Sequence, residues 1–167
     1  MANEVHQTYI NINTINARSL KANEKLKYIK DWHRNENHTV TVITESWLDH
    51  YYFDPVLTQT PPAPNRGVAT LIDPTTVTNI QPIFKELWNP SLNAIVIHTT
   101  ASNTTPIIII GYYCQPPNQK TNEKFLVEFI NGVKRLKGNI PLVVAGDFNQ
   151  PRPAVEKIAE LTNLKIS

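Results

Sequence analysis

The chain predicts an α/β protein with a mixed β-sheet and helices on one face. Three observations carry that reading. Along the 167 residues the apolar period switches between two and 3.6. The resulting elements run strand, helix, four strands, helix, strand. A right-handed crossover through each helix then sets both helices on the same side of the sheet.

Tyr9 to Ile15 alternates, with Ile10 and Ile12 on one face and Asn11 and Asn13 on the other, as in a strand with one wet side. From Leu20 the period lengthens. Leu26, Ile29 and Trp32 or His33 form one stripe, and Lys21, Lys25, Lys27 and Lys30 fall outside it, which is an amphipathic helix ending at the Asn-rich turn Asn35 to His38. Val40 to Thr44 is β-branched throughout and predicts the second strand. Asp54 to Asn65 carries Pro55, Pro61, Pro62 and Pro64 and reads as an irregular surface insertion, because proline removes ladder donors. Arg66-Gly67 opens a third strand, Val68 to Ile72. Leu92 to Thr99 and Pro106 to Tyr113 form a hairpin around the turn Thr100 to Thr105. Thr121 is placed to cap a helix whose apolar face is Phe125, Leu126, Phe129, Ile130, Val133 and Leu136, ending before Gly138. Leu142 to Ala145 is apolar at every position, as in a strand covered on both faces. A last helix begins near Pro153 and carries Val155, Ile158 and Leu161.

Composition narrows the function classes. With 41% hydrophobic and 18% charged residues the chain is globular and reads as one domain. No apolar run is long enough to span a bilayer, and the start lacks a secretory signal, so the expected setting is intracellular and soluble with no membrane partner. A lone cysteine, Cys114, excludes an internal disulfide and a cysteine-rich zinc site. A net charge of +2 permits nucleic acid as a partner without arguing for it.

The stretch Pro141 to Gln150, PLVVAGDFNQ, is where chemistry is expected. Gly146 lets the chain turn sharply, and Asp147 and Asn149, two apart, share one face while Phe148 points the other way. The plain alternative is a Gly-Asp turn with Asn149 as a second turn-former. Asn16 follows the first strand and Glu45 the second, and side chains at the carboxyl ends of strands in an open α/β sheet converge on one rim. A single Glu suits a hard divalent cation that keeps several waters, Mg²⁺ or alternatively Mn²⁺. Taken singly, Asn16 is equally a turn residue and Glu45 a charge at a helix N-terminus.

Five short motifs fall in sequence: Ile15-Asn16-Ala17-Arg18-Ser19-Leu20, Thr44-Glu45-Ser46-Trp47-Leu48, Arg66-Gly67-Val68-Ala69-Thr70-Leu71-Ile72, Tyr113-Cys114-Gln115-Pro116-Pro117-Asn118 and Gly146-Asp147-Phe148-Asn149. This succession, from Tyr9 to Gln150, resembles the endonuclease/exonuclease/phosphatase superfamily, most of all the apurinic-type endonuclease domain of non-LTR (LINE-type) retrotransposons. The resemblance implies a four-layer α/β β-sandwich (DNase I-like), of which this chain is the N-terminal part. It implies that Glu45 binds the metal with help from Asn16, that Asp147 orients or deprotonates the attacking water, and that Asn149 holds the scissile phosphate. An aromatic hydroxyl at the phosphate falls to Tyr113, with Tyr112 the competing choice. The activity implied is metal-assisted hydrolysis of a DNA phosphodiester, leaving a nick whose 3′ hydroxyl primes reverse transcription. The partners implied are DNA and a downstream reverse transcriptase, in the nucleus. Arg18, Lys21, Arg66 and Arg152 are candidates for contacts to DNA phosphates, against the plain alternative of a solvated surface.

The resemblance also has departures. The family's second half supplies further strands, an Asp and a late Ser-Asp-His, whereas this chain stops at Ser167. None of His6, His33, His38, His50 or His98 has that context, and Asp49-His50 mimics it far too early. The expectation is a domain truncated at its C-terminal end, whose missing second sheet lies in a longer chain and leaves an inner face uncovered. An apolar patch above roughly 400 Å² marks an interface or an aggregation liability. Losing one charge-stabilising group costs on the order of 10²–10³ in rate, so an impaired enzyme is expected. The alternatives are a non-catalytic remnant or a phosphatase/phosphodiesterase of the same superfamily.

Overall fold

The computed structural model describes residues 10–48, 57–61, 65–100 and 106–167. Within them the β-branched and apolar runs form two four-stranded sheets. In the first, β1 (Ile12–Asn16) and β2 (Val40–Thr44) are parallel, joined by the crossover helix α1 (Asn23–Asn35). β3 (Leu57–Gln59) and β4 (Val68–Ile72) follow antiparallel, giving the order β1-β2-β4-β3. In the second, β5 (Val77–Pro82), β6 (Leu92–Thr99) and β7 (Ile107–Tyr113) form an antiparallel meander. Helix α2 (Gln119–Lys137) then returns the chain to β8 (Leu142–Asp147), parallel to β7, and α3 (Arg152–Thr162) follows. No described helix is long and apolar enough to cross a membrane.

The expected α/β sandwich class stands, whereas the single sheet with both helices on one face is corrected to two sheets with helices on opposite outer sides. The sheets pack face to face, with β2 and β4 against β6 and β7. Val40, Val42 and Val68 of the first sheet share a core with Ile95, Ile97 and Ile109 of the second. The inner face expected to lie bare is buried. Helix α1 covers the outer side of the first sheet, where Leu26 and Ile29 meet Ile43, Ala69 and Leu71. Helices α2 and α3 join the other core through Leu126, Phe129, Ile130, Val133 and Ile158. Strand patterns alone could not assign partners, because a run apolar at every position fits either sheet.

Gly111 shows how closely the sheets approach. A Cβ there would lie 2.5 Å from Asn93 Oδ1 and 2.8 Å from Val68 Cγ1 of the opposite sheet. The space holds Asn93, buried at the interface, which accepts from Thr70 Oγ1 (3.2 Å) and donates to the Thr58 and Val68 carbonyls (3.3 and 3.4 Å). A buried amide with its partners satisfied fixes how the sheets sit on one another.

Smaller expectations also change. β3 and β5 were not foreseen. Both are edge strands, one inside the proline-rich stretch and the other ending at Pro82, and edges tolerate proline. β8 is also an edge strand, its residues half-buried, and is not covered on both faces. His33, not Trp32, completes the buried stripe of α1, because positions 26, 29 and 33 complete the i, i+3, i+7 pattern. Helix α2 begins at Gln119 after Asn118, so Thr121 lies inside its first turn and does not cap it, and Leu136 is exposed. In α3, Leu161 is exposed while Thr162 is buried, its hydroxyl donating to the Ile158 carbonyl (2.7 Å). His6, Asp49-His50, residues 54–56 and 62–64 of the proline-rich loop and the turn 101–105 lie outside the described residues.

His33 gives the fold a pH dependence. Its Nδ1 lies 2.7 Å from Thr41 Oγ1. Burial, then the neighbouring His38, lowers its pKa from 6.5 to about 4 against the pull of Asp73. The folded chain keeps His33 neutral, whereas the unfolded chain takes up a proton near 6.5. Stability is thus complete above pH 6.5 and declines as pH falls toward 4, by about 3 kcal/mol for such a shift. Urea unfolding of His33→Gln across that range should show a flatter acid limb; an unchanged slope would discharge His33 as its source.

Candidate active site

At one end of the sandwich the strands β1 and β2 of the first sheet and β7 and β8 of the second finish together. The last residue of β1 is Asn16, and Glu45 follows β2 directly; Tyr113 ends β7 and Asp147 ends β8. Parallel pairing sets the register, with Asn16 beside Thr44 and Tyr113 beside Asp147. The Asn16 amide Nδ2 donates to Glu45 Oε1 (2.8 Å) and to Asp147 Oδ2 (3.2 Å). One side chain thus connects a carboxylate from each sheet. Its own Oδ1 accepts from the Arg18 amide (3.1 Å), which fixes the orientation of the group.

The Glu45 loop is held in a conformation that its residues disfavour. Glu45 and Trp47 have φ of 52° and 53°, in the left-handed region, at a cost of roughly 1–3 kcal/mol each. Main-chain bonds impose it: the Ser19 amide donates to the Glu45 carbonyl (2.8 Å), Leu20 to Ser46 (2.7 Å), and Trp47 to Arg66 (2.7 Å). The loops after β1 and β2 and the entry to β4 are therefore knitted into one platform. Strain persisting where several bonds enforce it is characteristic of functional sites.

Tyr113 and not Tyr112 serves this rim. Tyr112 is fully buried, with its ring 5.2 Å from that of Phe148, whereas the Tyr113 hydroxyl donates to Glu45 Oε1 (3.3 Å). Burial, then the carboxylates of Glu45 and Asp147, pushes the Tyr113 hydroxyl up to about 12, so it remains a donor at neutral pH. Asn149 has φ 44°; its main-chain amide donates to Asp147 Oδ1 (3.0 Å) and its Nδ2 to the Cys114 carbonyl (2.9 Å). The contact to Cys114 is with main chain, and residue types carry no signal for it.

Asn16, Glu45, Tyr113, Asp147 and Asn149 thus form one hydrogen-bonded group. The basic candidates are more dispersed. Arg18 and Lys21 are exposed on the segment after β1, and Arg66 is half-buried where the chain enters β4. Arg152, in the first turn of α3, pairs with Glu156 (2.8 Å). The two carboxylates are of the donor type that suits a hard cation, while the Asn16 amide turns its nitrogen toward them and its oxygen to the Arg18 amide; no group of three or more His, Cys, Asp or Glu side chains that could hold a metal occurs among the described residues. That matches Mg²⁺, which takes one or two carboxylates and keeps water.

A two-sheet α/β sandwich with acids and amides collected on its rim is the DNase I-like fold. The chain belongs to the endonuclease/exonuclease/phosphatase family, whose sequence profile matches residues 8–165. No curated protein matches it by sequence. Among solved structures it is similar to the endonuclease domain of TRAS1, a telomere-specific non-LTR retrotransposon. That likeness has a TM-score of 0.65 and 16% identity, over 93% of this chain and 70% of the other. It is similar also to the AP endonuclease LMAP from Leishmania major, with a TM-score of 0.68 and 10% identity, over 91% of this chain and 66% of the other. The human Nocturnin catalytic domain gives a TM-score of 0.60 and 16% identity, over 90% and 68%.

Gly146 lets Asp147 reach this position. Its φ is 148°, and a Cβ would lie 1.8 Å from the Tyr112 carbonyl oxygen, within the β7–β8 ladder itself. Gly146→Ala should cost more than about 3 kcal/mol in urea unfolding or abolish soluble expression, since backbone must move and not a side-chain tip. A variant of wild-type stability would show that the ladder yields.

Proposed function

We propose that the chain is a metal-dependent phosphodiesterase that nicks DNA, as the endonuclease domain of a non-LTR retrotransposon does in supplying a 3′ hydroxyl to reverse transcriptase. The observation that carries this is the pair of carboxylates, one from each sheet, joined through Asn16 on the rim of a sandwich of this family. The fold likeness to a retrotransposon endonuclease domain supports the choice of substrate.

Glu45, oriented by Asn16, would hold the divalent cation, Mg²⁺ or alternatively Mn²⁺. A cation held there would offset charge on the phosphate and the leaving oxygen. Asp147, anchored through both of its oxygens, orients the attacking water and takes its proton. The water oxygen bonds to phosphorus as the bond to O3′ breaks, and the leaving oxygen takes a proton from solvent while Asp147 later returns its own, so that the products are a 5′ phosphate and a 3′ hydroxyl. Tyr113, a neutral donor beside Glu45, is placed to hydrogen-bond a phosphate oxygen as its charge grows. Arg18, Lys21 and Arg66 supply contacts to the DNA backbone, which position the duplex without reading its sequence. Arg152, already paired with Glu156, contributes less.

With Mg²⁺ the protein should convert supercoiled plasmid to the open circle, and EDTA should stop it. Glu45→Ala and Asp147→Ala should each lose on the order of 10²–10³ in rate, and Tyr113→Phe about tenfold. Nicking that persists in both carboxylate variants would remove the proposal. Faster turnover of inositol phosphates than of plasmid would move the substrate to the phosphatase branch of the family.

A further inference from the structure

Lys25 stands where a lysine is poorly suited. It lies in the first turn of α1, where the helix dipole disfavours a cation, and it falls outside the buried stripe of Leu26, Ile29 and His33. The residue is exposed, yet its ammonium Nζ reaches back eight positions to donate to the carbonyl of Ala17, in the loop after β1. That loop is the one that presents Asn16. Ala17 itself is buried, its amide donating to the Thr44 carbonyl (2.9 Å), and the two residues after it, Arg18 and Ser19, have φ of 47° and 95°.

The bond matters through the peptide unit it holds. The Ala17 carbonyl and the Arg18 amide belong to one planar group, and that amide donates to Asn16 Oδ1 (3.1 Å). The Asn16 side chain is a second planar amide, whose Nδ2 donates to Glu45 Oε1 (2.8 Å) and to Asp147 Oδ2 (3.2 Å). From Nζ to the two carboxylates each amide therefore accepts at its oxygen and donates at its nitrogen. A cation at the head of such a chain and anions at its end polarise every link in the direction that strengthens it. Hydrogen bonds to ionised partners are the stronger ones, and this chain has them at both ends.

We propose that Lys25 is a positioning residue for the rim, its ammonium fixing the Ala17–Arg18 peptide and, through Asn16, the Glu45 and Asp147 carboxylates. This rests on the nuclease reading of the same site. Because Lys25 acts through two amides on the groups that react, its loss falls on kcat and not on DNA affinity.

Lys25→Met removes the ammonium and keeps the stem, whereas Lys25→Arg keeps a charged donor. In plasmid nicking with Mg²⁺ the Met variant should lose about fivefold in kcat, an effect held down by solvent screening of an exposed ammonium. The Arg variant should stay within about twofold of wild type. DNA affinity, read by fluorescence anisotropy with Ca²⁺ in place of Mg²⁺, should change less than about twofold in both, with the salt slope unaltered. In heteronuclear NMR the amide protons of Arg18 and of the Asn16 side chain should both move upfield in Lys25→Met, as donors do when their hydrogen bonds weaken. Wild-type kcat in Lys25→Met, or wild-type positions of those signals, would overturn the proposal. A salt slope lowered by about one in Lys25→Met would make Lys25 a phosphate contact and overturn it as well. If the wild-type protein nicks no better than Glu45→Ala, the nuclease reading fails, and the NMR signals alone decide whether Lys25 governs the Asn16 amide.

Discussion

One amide holds the site together. Asn16 Nδ2 donates to Glu45 of its own sheet and to Asp147 of the other. Hydrogen bonds to ionised acceptors are stronger than neutral ones, and two from one nitrogen fix the separation of two acids that would otherwise repel. The bridge exists only because the sheets pack so that β1 lies against β8. Anything that changes the packing of the sheets moves Asp147 relative to Glu45.

The core sets that packing. Gly111 leaves room for Asn93 at the interface, and Asn93 ties β6 to the main chains of β3 and β4. Around this polar tie the aliphatic residues of the inner faces are almost wholly buried. The hydrophobic contribution brings the layers together, and the satisfied amide selects among their possible offsets. Gly146 acts similarly at the rim, where close approach of β7 to β8 delivers Asp147 as the last paired residue of the strand.

Strain is concentrated where the chemistry is proposed. Arg18, Glu45, Trp47 and Asn149 all adopt left-handed backbone around the cluster. At Glu45 and Trp47 the cost is offset by main-chain bonds between separate loops, and at Arg18 and Asn149 by amides that donate to the Asn16 and Asp147 side chains, so the carboxylates are set before any substrate arrives. Preorganisation of this kind serves electrostatic catalysis, in which groups must already stand where charge will develop.

Local patterns sufficed for much of the chain. Val40 to Thr44, Val68 to Ile72 and Leu92 to Thr99 were legible as strands with their observed bounds, because β-branching and turn residues act over a few positions. The five motifs, and through them the family and the candidate residues Asn16, Glu45, Tyr113, Asp147 and Asn149, were legible too. Short edge strands such as β3 were not, since main-chain pairing with a distant partner outweighs three residues of weak propensity. The division into two sheets, the opposite placement of α1 and α2, and the choice of His33 over Trp32 belonged to tertiary structure alone. So did the link from Asn149 to Cys114. Side-chain periodicity records which face of an element is apolar, but not which other element covers it, and contacts to main chain leave no mark on residue identity.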